Sequence, residues 1–301
     1  MDVEIARSSG FCWGVKRSVD LVERDLNASK KVYLAKLPVH NNVVVNKLTA
    51  KGANVVQEIE EVPNGETVFF RSHGEPPASF ERAKAKNLKV VDLTCPFVMM
   101  VHRTAKRMEE EGYLVVVVGD KEHPEVKGIL GHTKKGVVIQ TPEEARAFVS
   151  EEQYATNDEL DKQTDAQAID SLFSYKLQKV AVVVQTTQEN EKFNEIVKIL
   201  NGKAREVRAF NTICNATHTR QPSAEELAKR VDLMIVIGGK MTANTKHLNE
   251  IAYRHTKSYW IETVADLKSE WFSGAHKAGI TAGASTPQES IDEVRAWIEK
   301  I

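Results

Sequence analysis

Short apolar runs alternate with amphipathic stretches along the whole chain. Apolar runs of five or six residues, such as 113–118, 180–184 and 233–237, predict buried β-strands. The stretches between such runs carry apolar residues three and four positions apart, which predicts amphipathic helices. Alternating strands and helices indicate an α/β protein with small parallel sheets. In such sheets ligand sites lie at the carboxyl ends of the strands.

The alternation repeats three times, which indicates three similar units rather than a solenoid of short repeats. The last pass lacks one strand. The N-terminal run 3–6 can supply it, so both ends of the chain should meet in the third unit. Residues 149–178 are polar and lengthen the second pass, where they predict an inserted helix or loop. The predicted units are residues 13–95, residues 96–213, and residues 214–301 together with residues 1–12.

Composition narrows the class of protein. A chain of 301 residues with 42% hydrophobic and 28% charged residues can form two or three domains with their own cores. The net charge of -1 gives no basic surface for nucleic acid. The opening residues have no basic stretch, and no segment approaches the ~20 apolar residues of a membrane helix. We expect a globular protein of the cytoplasm with neither nucleic-acid nor membrane partners.

The chain has three cysteines, Cys12, Cys95 and Cys214. Each follows a predicted strand and precedes a predicted helix, where backbone N–H groups and the helix N-terminus favour a thiolate over a thiol. An odd number of cysteines without close pairs argues against disulfides and for reduced thiols. Three thiols in equivalent settings therefore suggest one shared metal centre.

Polar side chains also follow two other strands of each unit. They are His40, His123 and Asn244 in one set of turns, and His73, Thr186 and Ser285 in the other. If the units pack around an approximate threefold axis, all of these turns and the cysteine turns face one central cavity. In any single turn such residues can have a purely structural role, which is to stabilise the turn. Turn chemistry does not, however, require polar ligands at matching places in three repeats.

Eight short motifs resemble the 4-hydroxy-3-methylbut-2-enyl diphosphate reductase family and keep its order along nearly the whole chain. The motifs are Phe11-Cys12-Trp13-Gly14-Val15, Pro38-Val39-His40-Asn41, Arg71-Ser72-His73-Gly74, Thr94-Cys95-Pro96-Phe97-Val98, His123-Pro124-Glu125-Val126, Gln185-Thr186-Thr187, Ile213-Cys214-Asn215-Ala216-Thr217 and Thr281-Ala282-Gly283-Ala284-Ser285. The resemblance implies a trefoil of three α/β domains in pseudo-threefold arrangement around one central [4Fe–4S] cluster. It also implies the last reaction of the methylerythritol phosphate route to isoprenoid precursors.

The implied cluster agrees with the cysteine count. Three thiolates can hold three irons of a four-iron cluster, whereas four cysteines are the commoner arrangement. One iron then stays open and can take the hydroxyl oxygen of an allylic diphosphate substrate. The implied reaction takes up two electrons and protons, and it releases the hydroxyl as water. The products are isopentenyl and dimethylallyl diphosphates, and the implied electron donor is a ferredoxin or a flavodoxin.

A zinc site is the competing interpretation of the cysteines. It would use the three thiolates together with His102 or His218 as the fourth ligand. Structural zinc sites usually take their ligands in close pairs, and these cysteines are far apart in the sequence.

Resemblance also assigns the residues that bind the diphosphate. They are His40, His73, His123, Thr242, Asn244 and Ser285. Free imidazole titrates near pH ~6.5, so an adjacent diphosphate should favour its charged form. No phosphate-binding loop of the Gly-Lys-Ser/Thr kind is present in the sequence. Where the family often has Asn-Ser-Ser-Asn, this chain has Met241-Thr242-Ala243-Asn244, so Ala243 can offer only its backbone.

Glu125 is the predicted proton donor to the leaving hydroxyl, and Thr186 is predicted to orient it or relay the proton. A free glutamate has a pKa of ~4.3, so donation near neutral pH requires a raised pKa, which burial would supply. Glu125 also follows Pro124 at a predicted helix start, where a carboxylate is favoured for structural reasons alone.

Two other function classes stay open on the sequence. A quinolinate synthase, which is another trefoil iron–sulfur enzyme, also uses three dispersed cysteines, but the histidine motifs argue against it. A non-enzymatic cluster sensor or carrier would not need His73, Glu125 and Thr186 beside an open iron.

Overall fold

The computed structural model describes residues 1–28, 30–150 and 177–301. The strands of these residues are β1 (Asp2–Ile5), β2 (Val32–Ala35), β3 (Ala53–Val56), β4 (Thr67–Phe70), β5 (Lys89–Asp92), β6 (Leu114–Val118), β7 (Val137–Ile139), β8 (Leu177–Val184), β9 (Ala204–Phe210), β10 (Leu233–Ile237), β11 (Lys257–Ile261) and β12 (Lys277–Ala282). The α-helices are α1 (Trp13–Asn27), α2 (Asn42–Ala50), α3 (Pro77–Ala85), α4 (Pro96–Glu110), α5 (Pro124–Leu130), α6 (Pro142–Ser150), α7 (Asn190–Asn201), α8 (Asn215–Ala228), α9 (Ala243–Tyr253) and α10 (Gln288–Ile298).

The strands form three parallel sheets of four strands each. Their orders are β3-β2-β4-β5, β7-β6-β8-β9 and β11-β10-β12-β1. In the first two sheets the chain starts on a central strand, moves to one edge, and then crosses back to the other half of the sheet; β10, β11 and β12 of the third sheet follow the same path, and the fourth place is taken by β1. The predicted α/β fold with three similar parallel-sheet units is therefore confirmed.

Strand β1 completes the third sheet. It pairs in parallel with β12, from Asp2 opposite Lys277 to Ile5 opposite Ile280. The N–H of Ala6 extends this pairing by donating to the carbonyl of Ile280 at 2.8 Å. The N-terminal strand thus supplies the missing strand, as the sequence predicts, and the two ends of the chain meet in one sheet.

The chain divides into two compact units. Unit one consists of Met1–Met99 and Cys214–Ile301 and holds the first and third sheets, while unit two is Met100–Ile213 and holds the second sheet. The predicted domain ranges, 13–95, 96–213 and 214–301 with 1–12, stay a prediction, since two of the three sheets belong to one compact unit.

The core of unit two shows why its strands are continuous apolar runs. Alternate residues of β6 and β8 enter two clusters on opposite faces of the sheet, one under α6 and α7 and the other under α4 and α5. A parallel sheet covered by helices on both faces buries every position, so its strands lose the polar alternation of a half-exposed sheet. The third sheet, in unit one, is built in the same way, with α10 on one face and α8 and α9 on the other.

Helix α6 is the main element that the sequence analysis did not predict. Its start has Pro142 followed by Glu143 and Glu144, a signal that favours a helix N-terminus. The predicted insertion 149–178 therefore begins inside α6 and ends inside β8, and residues 151–176 lie outside the described residues. None of the helices in the described part of the chain has the length and apolar character needed to cross a bilayer.

Candidate metal centre and substrate site

The three cysteines occupy matching turns of the fold. Cys12 follows β1 and precedes α1, Cys95 lies between β5 and α4, and Cys214 lies between β9 and α8. The strand before each cysteine is the same edge strand of its sheet. All three are outside any disulfide within the described residues and belong to unit one. The repeat therefore brings each thiol to the carboxyl end of an edge strand, as predicted.

The thiols approach one another around Gly14, in the first turn of α1. A Cβ atom added at Gly14 would lie 2.7 Å from the Sγ of Cys95 and 3.9 Å from the Sγ of Cys12. Cys95 also interacts electrostatically with both Cys12 and Cys214. The absent side chain of Gly14 thus leaves room beside sulfur atoms that converge within unit one.

Helix N-termini surround the thiols with hydrogen-bond donors. The side chain of Cys12 caps α1, where its Sγ accepts the N–H of Val15 at 3.4 Å. The Sγ of Cys214, at the N-cap of α8, lies 3.3 Å from the hydroxyl oxygen of Thr217. Such donors stabilise negative charge on sulfur.

Cys95 shows that these donors do not by themselves produce a thiolate. Burial raises the pKa of the Cys95 thiol, the backbone N–H groups of Phe97 and Val98 lower it, and the other two thiols raise it further. The net effect is a raised pKa, contrary to the expectation from the helix N-terminus alone. Metals bind the deprotonated sulfur, so the positive charge of a bound metal would lower the pKa of the Cys95 thiol, which the helix N-terminus alone does not achieve.

Three converging soft sulfur ligands fit a cluster or ion that binds thiolates. For the zinc interpretation, His218 lies on α8, where its N–H donates to the carbonyl of Cys214 at 3.0 Å. His102 lies in unit two, where its ring stacks on His132 at 4.2 Å and burial lowers the pKa of His102 to about 3. Packing within its own unit therefore accounts for the burial of His102.

His40 and His73 come together at the ends of β2 and β4. Their ring centroids lie 4.4 Å apart. Ser72 joins the two turns, because its N–H and its hydroxyl donate to the carbonyl of Pro38 at 3.3 and 3.0 Å. The N–H of Cys95 donates to the carbonyl of Ser72 at 3.0 Å, which connects the histidine turns to a cysteine turn.

Two turns that follow strands of the third sheet lie close to the backbone of His40. A Cβ added at Gly239, after β10, would lie 2.5 Å from the carbonyl oxygen of His40. The hydroxyl of Ser285, after β12, donates to the same oxygen over a long 3.5 Å. The turn of Ser285 is also hydrogen-bonded to the turn of Cys12, because the N–H of Cys12 donates to the carbonyl of Ala284 at 3.0 Å.

Asn244 and Thr242 differ in what they can offer a ligand. Asn244 is buried near the N-terminus of α9, and its Nδ2 has no hydrogen-bond partner among the residues that the structure describes. The hydroxyl of Thr242 has acceptors within its own loop, the carbonyl of Gly239 at 2.7 Å and the hydroxyl of Thr245 at 2.5 Å. Asn244 therefore keeps a buried donor for a ligand, whereas the single hydroxyl proton of Thr242 is already engaged.

The surroundings of His40 include an arginine that the sequence analysis did not single out. Burial is the largest cause lowering the pKa of His40, the charge of Arg71 lowers it further, and a hydrogen bond to the backbone of Met241 opposes both. Without an anion nearby His40 is therefore more neutral than a free histidine. Arg71 is buried and pairs with Glu75 at 2.6 Å, and it lines a cavity of about 180 Å³ with His40. Arg71 opens the motif Arg71-Ser72-His73-Gly74, and this place beside His73 was the signal in the sequence that could have identified it.

Unit two holds His123, Glu125 and Thr186 together, and all three are buried. One carboxylate oxygen of Glu125 accepts the N–H of Thr186 at 2.7 Å, and the other pairs with the Thr186 hydroxyl at 2.8 Å. His123 is the N-cap of α5, where its Nδ1 accepts the N–H of Glu125 at 3.2 Å. Thr186 therefore holds both oxygens of the carboxyl group, as an orienting residue must.

The carboxyl group of Glu125 can keep a proton near neutral pH. Glu125 is only 2% exposed, and burial raises its pKa from 4.5 to about 7 although both hydrogen bonds from Thr186 lower it. Glu125 also lies in the first turn of α5, after Pro124, where a carboxylate favours the helix. The helix position explains a glutamate there, and burial gives it the protonation of a general acid.

Unit one thus brings together the three cysteines, the two histidines, Ser285 and the loop of Asn244, and unit two brings together His123, Glu125 and Thr186. That both sets share one cavity stays a prediction.

Comparison with known proteins gives full-length matches. The family model described as LytB protein matches residues 3–299. A 4-hydroxy-3-methylbut-2-enyl diphosphate reductase of Aquifex aeolicus is 41% identical, covering 100% of this chain and 97% of that protein. A solved structure of (E)-4-hydroxy-3-methyl-but-2-enyl diphosphate reductase, the terminal enzyme of the non-mevalonate pathway, is 40% identical with a TM-score of 0.67, and the match covers 100% of both chains. The E-1-hydroxy-2-methyl-but-2-enyl-4-diphosphate reductase from Plasmodium falciparum is 27% identical with a TM-score of 0.84, over 99% of this chain and 87% of that one.

Proposed function

This chain belongs to the LytB protein family, and we propose that it is a 4-hydroxy-3-methylbut-2-enyl diphosphate reductase acting in isoprenoid biosynthesis. The observation that carries the proposal is the convergence of three cysteine thiols at matching strand-end turns in a chain of this family. Three sulfurs leave a four-iron cluster with one iron that no cysteine holds. Such a site suits a reaction at a substrate oxygen.

Cys12, Cys95 and Cys214 would hold one [4Fe–4S] cluster per chain. When bound, the cluster would supply electrons and a Lewis-acidic iron for the hydroxyl oxygen of the substrate. The rest of the chemistry falls to side chains that bind the diphosphate and deliver protons.

The diphosphate would be held by His40, His73, Asn244 and Ser285 of unit one and by His123 of unit two. Support comes from the paired rings of His40 and His73 and from the Nδ2 of Asn244, a buried donor for which the described part of the chain offers no acceptor. The buried charge of Arg71 adds a positive field at His40. Thr242 would act mainly by shaping its loop, because its hydroxyl proton is engaged there.

Glu125 would act as the general acid. Its proton would pass to the hydroxyl group that leaves as water, either directly or through the Thr186 hydroxyl 2.8 Å away. The two hydrogen bonds from Thr186 hold the carboxyl group in one orientation, which is what proton transfer in a defined direction needs. The electrons would come from a ferredoxin or flavodoxin, and a cytoplasmic location stays a prediction.

The proposed function is tested with protein purified without oxygen. Iron and sulfide are measured first, and then the protein is mixed with (E)-4-hydroxy-3-methylbut-2-enyl diphosphate and a chemical reductant. We expect isopentenyl and dimethylallyl diphosphates by mass spectrometry. Bound zinc without iron would support the zinc site instead. A loaded cluster without turnover would support a sensor or carrier, and turnover of quinolinate precursors would support the synthase.

We predict that His40→Ala weakens substrate binding by about 10- to 100-fold, because charge-assisted hydrogen bonds typically contribute ~1.5–3 kcal/mol. The lowered pKa of His40 adds a second expectation. A bound diphosphate should raise that pKa, so binding to the wild type near pH 7 should take up protons. Calorimetry in two buffers of different ionisation enthalpy measures both quantities.

The exposed His276 supplies the control, and His276→Ala should bind like the wild type. The cluster absorption of His40→Ala should also be unchanged, since no thiol is altered. Unchanged affinity and unchanged proton uptake in His40→Ala would remove His40 from the diphosphate site.

Gly239→Ala tests whether the close approach of two turns positions His40. The added methyl group would lie 2.5 Å from the His40 carbonyl oxygen, so the turn must move. Because misplacement by ~1 Å can cost ~100-fold in rate, we expect kcat/KM to fall by about 10- to 100-fold with normal iron content. Gly202→Ala is the matched control, because its added Cβ meets nothing closer than 3.5 Å. Equal kcat/KM in the two variants would show that catalysis does not need the close approach of Gly239 to His40.

A further inference from the structure

Arg220 lies deep in unit one, between two of the cysteine turns. It is on α8 and only 4% exposed. Its Nη2 donates to the carbonyl of Gly10 at 2.6 Å, and its Nη1 donates to the carbonyl of Ala216 at 3.1 Å. Gly10 comes two residues before Cys12, and Ala216 comes two residues after Cys214. One guanidinium group therefore joins the two turns that carry these thiols.

The electrostatic neighbours of Arg220 are sulfur atoms rather than carboxylates. The charged groups that act on it are Cys12 and Cys214, and within residues 1–28, 30–150 and 177–301 it forms no ion pair with an acidic side chain. Its Nε is buried without a hydrogen-bond partner in the same part of the chain. Burying a guanidinium without a carboxylate partner is costly, so this position favours a bound anionic group beside Arg220.

We propose that Arg220 is a positioning residue that holds the Cys12 and Cys214 turns and whose positive charge raises the reduction potential of the cluster. This inference rests on the proposed function, because it requires a cluster on the three thiols. Three thiolates make the cluster site anionic, and one-electron reduction adds another negative charge. A buried cation stabilises the reduced form more than the oxidised form, since charges interact strongly where water is excluded.

The two roles of Arg220 can be separated by substitution. Arg220→Gln removes the charge and keeps a hydrogen-bonding side chain of moderate length. Arg220→Lys keeps the charge but loses the planar fork that reaches both carbonyl groups. Arg230→Gln is the matched control, because it also removes one positive charge from unit one. Arg230 is 48% exposed and pairs with Glu4, so solvent screens its charge.

The experiment uses the full-length, cluster-loaded protein. The midpoint potential is measured by redox titration monitored by electron paramagnetic resonance, with iron and sulfide determined on the same samples. We expect Arg220→Gln to shift the midpoint potential to a more negative value. Arg220→Lys should stay closer to the wild type, and Arg230→Gln should equal it. A role in folding alone would leave the potential of the loaded protein unchanged.

Each outcome decides the proposal. Arg220→Gln with full iron content and the wild-type potential would overturn it. If Arg220→Gln does not load, a loaded Arg220→Lys with a near-wild-type potential supports the need for a cation, whereas failure of both variants to load supports the role of Arg220 in holding the two cysteine turns. A wild-type protein without iron and sulfide would overturn the proposed function and this inference together. A loaded, active wild type with an unaltered Arg220→Gln potential would overturn only the inference.

Discussion

Cys95→Ser is expected to lose the cluster and with it all measurable turnover. Cys95 interacts electrostatically with both of the other thiols, and its Sγ would lie 2.7 Å from a Cβ added at Gly14. A serine hydroxyl is far less acidic than a thiol and does not replace a soft sulfur ligand. Iron and sulfide analysis of protein purified without oxygen measures the loss, together with turnover of the diphosphate substrate.

Folding of the variant is checked against the apoprotein rather than the loaded wild type. Serine is close to cysteine in size, so the apo forms of Cys95→Ser and wild type should melt at similar temperatures, while only the wild type should gain stability from the cluster. Cys12→Ser and Cys214→Ser should behave in the same way as Cys95→Ser. If a single serine variant keeps full iron content and normal turnover, the cysteine that it replaces is not a cluster ligand.

Glu125→Gln is expected to lower turnover by about 10²–10⁴-fold, the usual contribution of general acid catalysis, with little change in substrate affinity. Glutamine keeps the shape and can still accept the N–H of Thr186, but its amide group does not release a proton near neutral pH. Wild-type kcat should fall as pH rises through about 7, because the raised pKa of Glu125 marks where the acid loses its proton. The residual activity of Glu125→Gln should lack this dependence.

Stability gives an independent check on the same carboxyl group. A folded-state pKa raised from 4.5 to about 7 means that the protonated form stabilises the fold below pH 4.5 and that this stability is lost as pH rises through 7. Ionised and buried, Glu125 costs roughly 3 kcal/mol above that range. Thermal melts at pH 8 should therefore show Glu125→Gln more stable than the wild type, and the difference should shrink toward pH 5.

A nearby exposed carboxylate is the control for Glu125. Glu122 precedes α5, its side chain is 84% exposed, and it pairs with Lys127 at 2.7 Å. Glu122→Gln should change neither kcat nor its pH dependence, because solvent screens that charge. If kcat of Glu125→Gln lies within a few-fold of the wild type, another group, such as the substrate's own diphosphate, delivers the proton.

Local patterns in the sequence were enough to predict the strands, most of the helices and the three matching cysteine turns. Side-chain periods of 2 and 3.6 residues depend only on neighbours in the sequence, so they can be read without the fold. The place of β1 was also predictable, because a parallel sheet with a missing strand requires one from elsewhere. The boundary between α6 and the polar stretch after it was missed, since both are rich in charged residues.

The electrostatics of the site were decided only by the tertiary structure. The raised pKa of Glu125, the lowered pKa of His40 and the raised pKa of Cys95 all have burial as their largest cause. Burial depends on groups distant in sequence, as do the approach of Gly239 to His40 and the hydrogen bond from Arg220 to Gly10. Desolvation and Coulomb interactions act through space, so a motif can identify a glutamate or an arginine, but only the packed fold determines its charge state and partners.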